Sequence, residues 1–331
     1  MKSLNTLFKY SLPTLAISFS SLSIAADKVT FQLDWLPGGD KAPVYVGIQE
    51  GFFAEEGIDV TIKVGKGSSD ALTKLAAGHA DIGSSDIVAL LSAKANGQIP
   101  VEAVYSYYSK APYAFYVTSA SGINSVKDVA GKTIVTSPFT SENIFLPLLF
   151  KKNNVAEDSV KIIKADPGAL NPMLIRGKAD VMISWITDQA DYETQAEQVG
   201  KKLKVLPWYD AGLEFYSSSI VASDRFIESH PDVVKRFLVA YKKAVQFTWE
   251  NPEKSAKDVN AMVPEVDVTD AVNTINSMKG LVFNNITTEY GMGSFNPKRL
   301  KDTWVATANA LNIDVDSLDP ETVVNRNFIS K

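Results

Sequence analysis

Leu75-Ala76-Ala77-Gly78-His79-Ala80-Asp81-Ile82 returns further along the chain as Leu174-Ile175-Arg176-Gly177-Lys178-Ala179-Asp180-Val181. Both copies follow a Leu-x-x-Gly-x-Ala-Asp-apolar pattern, in which an apolar helix stops at a glycine, turns, and enters a short apolar strand. A pattern that occurs twice in this form predicts two equivalent α/β lobes in one chain. The residues that follow each strand are then equivalent too: Ser84-Ser85-Asp86 after the first and Ser184-Trp185 after the second. Ligands of open α/β sheets bind beyond the carboxyl ends of the strands, so these clusters are expected to face each other across a cleft.

The surrounding sequence keeps the same grammar. Residues 29–33 form a β-rich run that ends at Asp34-Trp35-Leu36-Pro37-Gly38-Gly39. Pro43 opens a helix carrying Tyr45, and Ser68-Ser69-Asp70 supply N-cap chemistry for a helix that stops at Gly78. Strands are expected at 58–64, 132–135, 160–165 and 181–184, with helices between them, which implies parallel sheets covered on both faces. Beyond residue 222 the pattern turns mainly helical. Val234, Phe237, Leu238, Tyr241 and Val245 mark one face of an amphipathic helix.

Composition excludes much chemistry. The 331 residues contain no cysteine and two histidines, His79 and His230. Disulfides, Cys-zinc sites, iron–sulfur clusters and thiol catalysis are therefore ruled out, and a multi-histidine metal site is nearly so. A formal charge of −5 offers no electrostatic footprint for nucleic acid. Partial phosphate-loop matches fail where glycine is required, at Val126 and Val60. The nucleophile elbow, the His-Glu-x-x-His zinc motif and the dinucleotide fingerprint are all absent from the sequence. No catalytic residue, metal or cofactor is expected.

The first 26 residues read as an export signal: lysines at 2 and 9, an uncharged apolar stretch, and small residues up to Ala25-Ala26. The segment has two lysines and no acid, so its removal takes the formal charge from −5 to −7. A freely soluble product in a bacterial periplasm is expected.

Candidate binding residues gather at strand ends. Asp34, Trp35, Ser85, Asp86, Tyr108, Trp185 and Asp188 combine aromatic faces for stacking with carboxylates that accept from amino groups. Ser68 and Ser69 in one half, and Phe139, Thr140 and Ser141 in the other, add hydroxyls and free backbone N–H groups at helix starts. Tyr45 completes the candidate set.

Leu33-Asp34-Trp35, the run from Tyr45 to Val60 (YVGIQEGFFAEEGIDV), the two echo segments and Val126 to Ile134 (VKDVAGKTI) resemble periplasmic solute-binding proteins of ABC importers. The branch is the one that includes thiamine-pyrimidine-precursor, taurine and alkanesulfonate binders. The resemblance implies a type II periplasmic-binding fold, with two α/β lobes, a central cleft and two hinge crossings. Crossings are placed near 117–119 and 219–222, giving lobe one as 27–117 plus 222–331 and lobe two as 118–221. It also implies a small-molecule ligand, a monomer, and docking on a separately encoded permease and ATPase. Leu33-Asp34-Trp35 points to the pyrimidine-precursor group, whose tryptophan stacks on the ligand ring, whereas Leu36 to Lys41 departs from that group's usual continuation. Two alternatives stand beside this reading. One is a sulfonate gripped by Ser68, Ser69, Thr140 and Ser141. The other is a pyrimidine-precursor synthase, which the absent cysteines and the export signal oppose.

Overall fold

A computed structural model describes residues 25–97 and 99–328. The expected export signal lies outside the described residues except for Ala25 and Ala26. The chain lays down β1 (Asp27–Gln32), β2 (Ile58–Lys63), β3 (Ile82–Asp86) and β4 (Val101–Ser106) in a first lobe. It crosses to a second lobe for β5 (Tyr113–Thr118), β6 (Thr133–Thr136), β7 (Lys161–Lys164), β8 (Val181–Trp185) and β9 (Leu203–Pro207), and then returns for β10 (Ser218–Ser223).

Each lobe holds a five-stranded sheet, ordered β2-β1-β3-β10-β4 in the first and β7-β6-β8-β5-β9 in the second. In each sheet four strands run parallel, and the odd strand, β10 or β5, is antiparallel to both its neighbours. The two sheets share one topology, and each antiparallel strand is the first that the chain lays down after crossing from the other lobe.

The repeated sequence pattern has a repeated structural cause. Gly78 and Gly177 adopt left-handed φ of 74° and 68°, ending the helices Ser68–Ala76 and Pro167–Ile175. Asp81 then exchanges two bonds with Thr30, accepting its N–H at 2.9 Å and donating to its carbonyl at 3.0 Å. Asp180 does the same with Thr133, at 2.8 and 2.9 Å. The repeated aspartate is thus a register clamp that pins each glycine turn to the neighbouring parallel strand, β1 in the first lobe and β6 in the second.

The crossings are displaced from the expected positions. β5 pairs throughout with β8 and β9, so 113–117 belong to the second lobe, and β10 pairs with β3 and β4, so 218–221 belong to the first. The chain passes between lobes over 107–112 and 208–217. Proline ends the ladder at both places: Pro112 precedes β5 and Pro207 closes β9, and neither has an N–H to continue pairing. The final third is also not confined to lobe one. Helix Pro231–Glu250 buries Val234, Phe237 and Tyr241 against the first sheet, with Phe237 stacked 5.7 Å from Phe31 and 4.8 Å from Phe53. Helix Pro297–Leu311, however, packs on both Ile87–Asn96 of the first lobe and Glu142–Lys152 of the second. Leu300 and Trp304 join one core with Val88 and Phe145, so the hinge side of the molecule shares a single apolar interior. Among the described residues no helix is long and apolar enough to cross a membrane.

Candidate functional site

The carboxyl ends of β1 and β3 face those of β6 and β8 across the gap between lobes, and the lobes are in contact around its rim. Ser69 N–H donates to the Phe139 carbonyl at 3.1 Å and Ser137 Oγ to the Lys66 carbonyl at 2.8 Å. On the other flank Thr274 Oγ1 donates to the Thr187 carbonyl at 3.1 Å and Thr194 Oγ1 to Asp270 at 2.9 Å. Gly67 makes this approach possible: its φ is +149°, and a Cβ there would stand 2.4 Å from the Phe139 carbonyl.

Between the lobes lies a narrow cleft. Its wall is formed by Asp34, Trp35, Asp40, Gly67 and Ser68 from the first lobe and Thr140, Glu142, Ser184, Trp185 and Asp188 from the second. Six candidate residues from the sequence lie on this wall: Asp34, Trp35, Ser68, Thr140, Trp185 and Asp188.

The other candidates are engaged elsewhere. Asp86 is fully buried, and its Oδ2 accepts from Tyr113 (2.5 Å), Ser217 (2.7 Å) and Ser141 (3.0 Å), which also accounts for Ser141. Ser85 is buried behind it, with its hydroxyl turned to the Ser68 and Asp86 carbonyls. Ser69 is exposed and spends its N–H on Phe139, and the Phe139 side chain is itself exposed. Tyr45 packs inside the first-lobe core. Tyr108 sits one layer behind the wall, with its ring 6.0 Å from Trp185 and its hydroxyl on the Asp40 carbonyl.

Sequence reasoning missed Asp40, Lys41, Gly67 and Glu142, and left Ser184 out of the candidate set. Asp40 and Lys41 occupy a short 3-10 turn, Gly39–Lys41, seated against helix Val268–Ser277, where a Cβ on Gly39 would lie 2.5 Å from the Ala271 carbonyl. Lys41 Nζ, almost wholly buried, pairs with Asp34 at 2.7 Å and Asp40 at 2.9 Å and lies 5.1 Å from the Trp185 ring centroid across the cleft. Asp34 Oδ1 also accepts from Ser84 at 2.8 Å, whereas its Oδ2, buried in the wall, has no partner. A carboxylate oxygen left bare in this way is an acceptor waiting for a donor.

The electrostatics follow from this crowding of acids. Burial would lower the Lys41 ammonium, but Asp34 and Asp40 outweigh it and hold its pKa above the ordinary range. Burial raises Asp40 despite Lys41 beside it. Burial raises Glu142 to about 7, against the pull of the Thr140 hydroxyl. Asp188 is raised to about 8 by burial and by the facing Asp40 carboxylate, with the Ser184 hydroxyl and Lys41 opposing. Burial also raises Asp86 to about 6 against its three hydroxyl donors.

These shifts fix the sign of a pH dependence. Folded-state values above the unfolded value of about 4 mean that the folded chain holds extra protons, so stability is greatest at low pH and is lost as pH rises through about 4 to 8. The melting temperature of the unliganded protein is expected to fall between pH 5 and 8, and Glu142→Gln to flatten the upper part of that fall. A melting curve that rises with pH and ignores the substitution would contradict the assignment.

Among known proteins, residues 39–255 match the family described as NMT1/THI5 like. A 4-amino-5-hydroxymethyl-2-methylpyrimidine phosphate synthase of Saccharomyces cerevisiae is 25% identical over 255 residues, 74% of each chain. The riboflavin-binding protein RibY of Chloroflexus aurantiacus is 24% identical over 273 residues, 80% of this chain and 76% of its own. Among solved structures, the alkanesulfonate-binding protein SsuA of Xanthomonas axonopodis pv. citri, bound to MOPS, superposes with a TM-score of 0.69 at 15% identity, covering 92% of this chain and 96% of its own. A Bordetella bronchiseptica RB50 protein reaches 0.73 at 21% identity with the same coverage. With two like sheets, paired crossings and a cleft at the strand ends, the chain has the periplasmic-binding-protein fold and belongs to the NMT1/THI5-like family.

Proposed function

We propose that this protein is the exported solute-binding component of an ABC importer and that it captures a planar, amino-bearing nitrogen heterocycle of the pyrimidine-precursor kind. One observation carries the reading. The bare, buried Asp34 Oδ2 stands in a wall that also holds Trp35, Trp185 and three further acids, and the nearby Lys41 ammonium is already shared between Asp34 and Asp40. Such a wall accepts hydrogen bonds and stacks flat rings. Trp35 and Trp185 come from opposite lobes, so a ring touching both favours the closed state by its differential contacts. The names of the pyrimidine-related and riboflavin-binding relatives agree with a ring ligand.

A sulfonate suits this wall poorly. Of the four hydroxyls expected to grip it, those of Ser69 and Ser141 lie off the wall, and the acids on it would repel an anion. A synthase reading lacks support from the side chains: no histidine lines the cleft among the described residues, and the sequence has no cysteine.

The test is thermal melting of the mature chain with 4-amino-5-hydroxymethyl-2-methylpyrimidine, thiamine, taurine and an alkanesulfonate. A ligand at about 100 times its Kd adds about 2.7 kcal/mol of stability, a shift of several degrees. The aminopyrimidines are expected to raise the melting temperature and the sulfonates to leave it unchanged. Affinity for the aminopyrimidine is expected to increase from pH 6 to 8 as Glu142 and Asp188 ionise. A sulfonate that binds, with affinity falling over the same range, would replace this reading.

A further inference from the structure

The two crossings between the lobes bond to each other only where they meet the first lobe. Tyr107 and Tyr108 N–H donate to the Ser218 carbonyl at 2.9 and 2.8 Å, and Ser217 N–H donates to the Tyr108 carbonyl at 3.1 Å. Past that point, among the described residues, no backbone hydrogen bond joins 109–112 to 208–216. Here the chain can change φ and ψ without breaking a ladder, which is what a hinge requires.

Arg299, in the first turn of helix Pro297–Leu311, spans this stretch. Its Nε donates to the Ser109 carbonyl of the outgoing crossing at 2.7 Å. Its Nη2 donates to Glu214 of the returning crossing at 3.4 Å, and its guanidinium lies 5.5 Å from the Tyr216 ring centroid. The same helix start holds Tyr216 at both ends: its N–H donates to Thr303 Oγ1 at 3.1 Å, and its hydroxyl accepts the Asn296 N–H at 2.8 Å. Ser109 is anchored in turn to the Leu281 carbonyl, at 3.1 Å, and to the Asn284 side chain, at 2.6 Å. Lys110, with its Nζ 4.0 Å from the Tyr209 ring centroid, is a second cation laid from one crossing to the other.

Successive residues of the returning crossing look to opposite sides. Phe215 stacks on Phe145 at 4.1 Å and Ser217 donates to Asp86 at 2.7 Å, whereas Glu214 and Tyr216 meet Arg299. Arg299 does not line the cleft, and the helix that carries it packs on helices of both lobes. A guanidinium is a planar fork with donors in fixed directions, so it grips two acceptors at one spacing. That spacing is the one found with the lobes in contact at the cleft rim.

We infer that Arg299 is the pin of the hinge: it fixes the two crossings in the arrangement of the closed lobes and thereby sets how much of the unliganded protein is closed. This goes beyond the proposed ligand and holds for whatever the cleft takes. Apparent affinity scales with the population competent to bind, so a residue remote from the ligand tunes how tightly the ligand is held.

The distance between lobes in the unliganded, full mature chain tests it. The sequence has no cysteine, so Val199→Cys in the second lobe and Val239→Cys in the first, both exposed, accept one spin label each. Double electron–electron resonance then reads the distribution of distances between them. Arg299→Lys keeps the charge without the fork, and Arg299→Met removes both. The ratio of open to closed distances is expected to rise at least about fivefold with methionine and by less with lysine. Glu214→Ala trims an exposed side chain and should shift the distribution the same way; it decides the matter alone if neither Arg299 variant folds. A lowered melting temperature with wild-type distances would make Arg299 a support of the fold and nothing more. A shift toward tighter closure would reverse its role. Either result overturns the inference.

Discussion

Replacing Lys41 with methionine is expected to cost the protein about 3–5 kcal/mol of unfolding free energy, the range found when one partner of a buried ion pair is removed. Lys41 Nζ lies 2.7 Å from Asp34 and 2.9 Å from Asp40, and all three side chains are almost entirely buried. Methionine fills similar volume, so lost packing contributes little. The loss comes from two carboxylates kept out of water without their cation. Urea denaturation should show a lower midpoint with an unchanged slope. Two controls separate charge from shape. The double variant Lys41→Met, Asp34→Asn should be less destabilised than Lys41→Met alone, because one of the orphaned charges is gone. Acidification should recover part of the deficit, since a buried carboxylate without a cation takes up a proton and stability is then lost as pH rises. A deficit below about 1 kcal/mol at neutral pH would mean that water reaches the pair and that the wall is more open than its burial indicates.

The importance of Lys41 also shows where sequence reading stops. The echo at 75–82 and 174–181 carried the two-lobe architecture because its turn chemistry is local: a left-handed glycine, a buried leucine before it, and an aspartate clamping the neighbouring strand. The crossings were misplaced because β5 and β10 insert antiparallel into sheets whose other members lie far away in sequence, and an apolar run of five or six residues does not announce its partners. Trp35, Trp185 and Asp188 were legible as residues just past strand ends, which the topology then turned toward one another. Asp40 and Lys41 were not, because they follow Pro37-Gly38-Gly39 and carry no periodic signal. Burial of that turn is imposed from outside by the backbone of Ala271. Glu142, in the first turn of a helix, carries no sequence signal of its own, and its burial comes from the meeting of the two lobes at the cleft.

Asp86 was legible as a strand-end carboxylate, yet the structure gives it a different task, and Asp86→Asn is expected to weaken closure rather than ligand contact. Oδ1 caps helix Ile87–Asn96 through the Val88 N–H at 2.9 Å, while Oδ2 gathers Tyr113, Ser141 and Ser217. Asp86 ends β3 in the first lobe, Tyr113 and Ser141 belong to the second, and Ser217 closes the returning crossing. An ionised carboxylate is an acceptor at every lone pair, which suits three hydroxyl donors on one oxygen, and its pKa of about 6 keeps it ionised at neutral pH. An amide in its place sets an NH₂ against either those donors or the helix cap. Hydrogen bonds to a charged group contribute about 1.5–3 kcal/mol each, so Asp86→Asn is expected to lower stability by about 2–4 kcal/mol. Part of that loss falls on the closed state, so ligand affinity should drop by at least about tenfold although Asp86 does not line the cleft. Small-angle scattering should show the unliganded variant more extended than the wild type. Ser141→Ala removes one bond between the lobes and spares the helix cap. It should cost about 1 kcal/mol of stability and reproduce the affinity loss in smaller measure. If both variants bind ligand as the wild type does, Asp86 only supports the fold; if affinity falls with no change in scattering, it acts on the ligand directly, and the hydroxyls gathered on Oδ2 must rearrange to admit it.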